Sequence, residues 1–105
     1  MSIDERIELH RQALSRLKAS GLKNRDIIHS VTYHQNMLNF YVSLSNEIEQ
    51  MNNGEVIAMY QGRRAQHKAI WEMIGESDLS SEEKRLSIRN HQQYHDVYLD
   101  LVEVA

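Results

Sequence analysis

No proline occurs anywhere in the 105 residues, and there are only four glycines. Proline breaks helix interiors and marks turns and edge strands, so a chain without it can run long helices uninterrupted. No stretch alternates apolar and polar residues for long, and strands therefore have little support. Apolar residues recur instead at spacings of three and four almost from end to end, the pattern of amphipathic helices. The chain reads as all-α.

The caps divide it. Ser2 with Glu5 three residues on predicts a helix start. Ile3, Ile7, His10, Leu14 and Leu17 form one stripe, and Gly21 suits the helix end. Asn24 can cap a second helix with Ile27, Val31, His34, Leu38 and Tyr41 on its stripe and Met37, Leu44, Ile48 and Met51 beside it. "NNG" at 52–54 is expected to end it. A third helix carries Val56, Tyr60, Arg63, His67, Ile70, Trp71 and Ile74 as far as Gly75. Ser80 with Glu83 is a capping-box spacing for a fourth, which buries Tyr94, Val97, Tyr98 and Leu101. Short connections predict a small antiparallel four-helix bundle, one domain over residues 1–105.

The second helix is long for such a domain. Unbroken from Asn24 to Asn52 it would run roughly 43 Å. It is expected either to protrude or to break near Val31–Thr32, where β-branched residues coincide with a capping-box spacing from Thr32 to Gln35. A break would give five helices.

Composition narrows the function. With no cysteine there is no disulfide, thiol nucleophile, zinc finger or iron–sulfur cluster. No apolar run reaches the roughly 20 residues of a membrane span, and the charged N-terminus is unlike a signal peptide, so a cytoplasmic setting is expected. The formal net charge is −3, and phosphate contacts need clustered Lys and Arg. A break in the second helix would give it a helix-turn-helix outline. DNA reading then fails on charge, because no Lys or Arg lies between Arg25 and Arg63.

That second helix is polar without being charged. Its outer faces hold Asn, Gln, Ser and Thr, with Phe40 and Val42 off the main stripe. Interfaces are depleted in Lys and enriched in aromatic residues. A homodimer is expected, with Asn36, Asn39, Phe40 and Val42 near the interface. From Glu76 onward seven acids meet three bases, which favours a partner with a basic surface. The chain therefore reads as a protein–protein interaction or regulatory module without cofactor or catalysis.

The histidines carry the alternatives. His10, His34 and His67 lie near the centres of apolar arcs, His91 lies within one and His95 at its shoulder. Antiparallel register puts His10 level with His34, and His67 level with Arg89 and His91, as two polar layers. His91 and His95, four apart, could share an ion with His67. A lone histidine followed by H-x-x-x-H is similar to the metal-binding pattern of DinB-like bundles, which would imply a histidine metal site. No E-x-x-H occurs, as di-iron carboxylate bundles require. Arg89–Asn90 followed by His95 resembles the R-polar-x-x-x-H signature of HEPN ribonucleases. That resemblance implies a phosphate-holding Arg89 and a general acid or base at His95.

Overall fold

Each helix starts where a short polar side chain can hold free amide groups. The Ser2 hydroxyl accepts from the Glu5 amide at 3.2 Å, and the Glu5 carboxylate accepts from the Ser2 amide at 3.5 Å. Helix α1 follows over Ile3–Ala19. The Asn24 side chain accepts from the Ile27 amide at 2.9 Å and opens α2, Arg25–Ile48. The Asn52 side chain accepts from the Glu55 amide at 2.9 Å and opens α3, Asn53–Gly75. Ser80 and Glu83 exchange the same pair of bonds, both 3.2 Å, ahead of α4, Ser81–Val104. A computed structural model gives these coordinates and describes residues 1–104. Among them there is no strand, and no helix is long and apolar enough to cross a membrane.

The expected all-α class and four helices are present, packed as antiparallel pairs: α1 on α2 and α3 on α4. Of the two alternatives for the second helix, the break near Val31–Thr32 is absent. α2 is continuous for 24 residues, about 36 Å. Two β-branched residues cost a few tenths of a kcal/mol each in a helix, too little to break one packed along its length. A second correction concerns "NNG". α2 stops at Ile48, and Asn52 serves as the cap of α3, with Gly54 inside its first turn.

The chain divides into two compact units, Met1–Met51 and Asn52–Ala105. The first buries Ile7, His10 and Leu14 of α1 with Met37, Tyr41 and Leu44 of α2. The second buries Val56 and Tyr60 of α3 with Tyr98 and Leu101 of α4. Each fully buried leucine contributes about 1.5–3 kcal/mol relative to exposure. Ile70, expected on the inner stripe, is instead exposed. The α1–α2 turn passes through Gly21, whose φ of +68° is the only left-handed backbone among the described residues, a conformation that disfavours a Cβ.

Candidate functional site

Four polar side chains lie inside each hairpin. In the first, Arg6 Nη1 donates to Tyr41 Oη at 3.1 Å. One turn along, His10 Nδ1 meets His34 Nδ1 at 2.8 Å. The His10 ring stacks on Tyr41, 19° from parallel with centroids 5.7 Å apart. In the second hairpin Arg63 Nη1 donates to Tyr98 Oη at 3.4 Å. His67 Nδ1 meets His91 Nδ1 at 2.9 Å, and His67 stacks on Tyr98 at 20° with centroids 6.0 Å apart. The histidine partners are 24 residues apart in both hairpins, and the Arg–Tyr partners 35.

The repeated separations come from a repeated sequence. Set against each other at a constant offset of 57, residues 1–48 and 58–105 are identical at nine positions. Four are the quartet: Arg6/Arg63, His10/His67, His34/His91 and Tyr41/Tyr98. Leu44/Leu101 are buried at the same depth, 2% exposed in both. Ser20/Ser77 repeat a turn: each hydroxyl donates to a carbonyl three residues back at 2.6 Å, Leu17 and Ile74, and accepts from the amide of Leu22 or Leu79. Ser30/Ser87, Leu22/Leu79 and Gln35/Gln92 complete the nine. The chain is one helical hairpin written twice. The quartet was accessible to sequence reading as R-x-x-x-H followed 24 residues later by H-x-x-x-x-x-x-Y, twice over. Reading each helix for its own stripe concealed it.

Electrostatics of the quartets are alike. An Nδ1···Nδ1 bond needs one ring to donate and the other to accept, so the two rings cannot both be imidazolium. Burial pushes the His10 imidazole below its ordinary range, with His34 and then Arg6 adding to the effect. His67 is lowered by burial, then by His91, His95 and Arg63. The aromatic neighbours are Tyr33 and Tyr41 around His10, and Tyr94 and Tyr98 around His67.

The structure joins His10 to His34 and His67 to His91, as the register predicted. His95 is near enough to act on His67 electrostatically but is not hydrogen-bonded to the second pair: His95 Nδ1 meets Asp96 Oδ1 at 3.0 Å and the ring lies edge-on to Trp71. No set of three His, Cys, Asp or Glu among the described residues is placed to hold a metal ion. Arg89 is exposed and His95 half-buried on an unbroken α4. Six residues apart on a helix, they stand about 120° apart around the axis and about 9 Å along it, so they do not face one point. Asn36 and Asn39 are exposed, and Phe40 and Val42 half-buried. At 100° per residue these four spread over about 160° of α2 rather than forming one patch.

A feature outside those expectations is an open groove beside the α1–α2 turn. It has a volume of about 390 Å³, and its lining includes Leu17, Leu22, Ile27, Ile28 and Val31 together with Lys18 and Lys23. Leu22 is 58% and Ile28 56% exposed. The signal was Leu22 in a turn and Ile28 beside the stripe residue Ile27, two large aliphatics with no helical reason to be there.

No family model, curated protein or solved structure matches the chain.

Proposed function

We propose that the protein is a small helical docking module that acts by binding another protein, in the cytoplasm and without catalysis. The groove at the α1–α2 turn carries this reading. Exposed aliphatic side chains are ordinary when scattered. Here Leu22 and Ile28 are gathered with Leu17, Ile27 and Val31 around one concavity. Aliphatic side chains and two lysines line it together, an apolar and charged mixture that a protein partner can use. It suits the apolar face of a helix bearing acidic flanks, the helix-in-groove mode of recognition. The quartets fit this reading as internal clasps: they hold each hairpin in register and leave its turn end to meet the partner.

The test is nuclear magnetic resonance of the ¹⁵N-labelled full chain. The titrant is a designed amphipathic helical peptide with leucines on one face and glutamates on the other. Shifts confined to residues 17–32, and absent when lysines replace the glutamates, are the expected result. Shifts spread over the chain, or none, would remove the groove as a docking site.

A further inference from the structure

The docking reading leaves the partner open, and the two turn ends identify one. Residues 9–25 carry five bases and no acid, whereas their counterparts at the offset of 57, residues 66–82, carry four acids and one base, Lys68. Equivalent ends therefore bear opposite net charge. Four of the charges near the turns suit their helices: Arg16 and Lys18 end α1, and Glu82 and Glu83 begin α4. Four others oppose them. Lys23 and Arg25 sit at the positive N-terminus of α2, and Glu72 and Glu76 at the negative C-terminus of α3. Each such charge costs its own helix some stability, which a facing charge of opposite sign would offset.

The acidic end is also apolar at its surface. Met73 is 70%, Leu79 44% and Leu86 55% exposed on the whole chain, as Leu22 and Ile28 are at the basic end. Each end thus carries exposed aliphatic side chains, with bases in the majority at the first and acids at the second, where Lys84 Nζ donates to the Gly75 carbonyl at 3.3 Å. Resting on the docking reading, the geometry points to a second copy of this chain as the occupant. The acidic α3–α4 turn of one copy seats Met73 and Leu79 against the groove of another, between Lys18 and Lys23. Opposite charge steers and registers the contact, and the aliphatic side chains hold it. Such a contact joins unlike surfaces, so it either closes reciprocally or extends along a row of copies.

The experiment is charge exchange, read by light scattering at low salt. One variant carries Lys18→Glu and Lys23→Glu, the other Glu76→Lys and Asp78→Lys; circular dichroism confirms that both are helical. The native chain is expected above the 12.3 kDa of one copy, each variant alone at that mass, and the equal mixture above it again. Should a variant misfold, Lys18→Gln with Lys23→Gln replaces it, and loss of association is again expected. A native chain that stays at one-copy mass, variants that still associate alone, or a mixture that stays separate would each overturn the inference. If the native chain is monomeric yet the groove binds the acidic peptide, the docking reading stands and only the second-copy assignment falls. If neither binds, both fall.

Discussion

Acid should loosen both hairpins, and the two histidine pairs set where. His10 and His67 are held below the ordinary 6.5, by burial first and then by the facing His34 or His91 and neighbouring positive charge. In the unfolded chain both recover the ordinary value. Between the lowered and ordinary values the unfolded state therefore binds more protons, so stability rises with pH there. The sign follows: the contribution is fully present above 6.5 and is lost as pH falls through the folded-state values. One proton per histidine limits the slope to about 1.4 kcal/mol per pH unit each, or about 2.7 kcal/mol for the two together. The perturbation is His10→Gln with His67→Gln, which keeps a polar group in place and removes the titration. Urea unfolding followed by circular dichroism at pH 7.5, 6.5 and 5.5 reads it. The native chain should lose little stability from pH 7.5 to 6.5 and most of what it loses between 6.5 and 5.5, and the double variant should start lower and fall less. A native chain equally stable at pH 5.5 and 7.5, or a variant with the native slope, would refute the clasp as the acid-sensitive element.

The same repeat makes paired expectations elsewhere. Tyr41→Phe and Tyr98→Phe each remove an acceptor from a half-buried arginine, and each should cost about 0.5–1.5 kcal/mol in urea unfolding. Leu44→Ala and Leu101→Ala, equally buried, should each cost about 2–5 kcal/mol, and near-neutral values at either would show that the inner faces are misassigned. Gly21→Ala meets open space yet must hold φ at +68°, so thermal unfolding should show a loss of about 1–2 kcal/mol from backbone strain alone.

The helices were legible because their signals are local. The caps at Ser2, Asn24 and Ser80 are chemistry within four residues, and so is the spacing of each stripe. The pairing of His10 with His34 and of His67 with His91 was legible too, since a short turn fixes antiparallel register. Val31 and Thr32 misled because a weak local preference was weighed without the long face that packs against α1. Asn52 misled differently: Asn and Gly signal both a helix end and a helix start, and Glu55 three residues on marks this one as a start. The groove was illegible for a third reason. Leu22 and Ile28 sit off every stripe, and only the fold brings them beside Leu17 and Val31. The charged ends were on view in the sequence, but their equivalence depends on the 57-residue repeat.

Cysteine cross-linking tests that equivalence most directly, because the chain has no cysteine of its own. Leu22→Cys places a thiol at the basic end and Leu79→Cys one at the acidic end, both on exposed side chains. Mixed in equal amounts and oxidised gently at low salt, the two single-cysteine variants should give mostly the 22–79 disulfide, well above random pairing. High salt should bring the products back toward random, because the steering charges are screened. Products in random proportions at low salt, or a preference for 22–22 and 79–79 pairs, would contradict the docking of unlike ends.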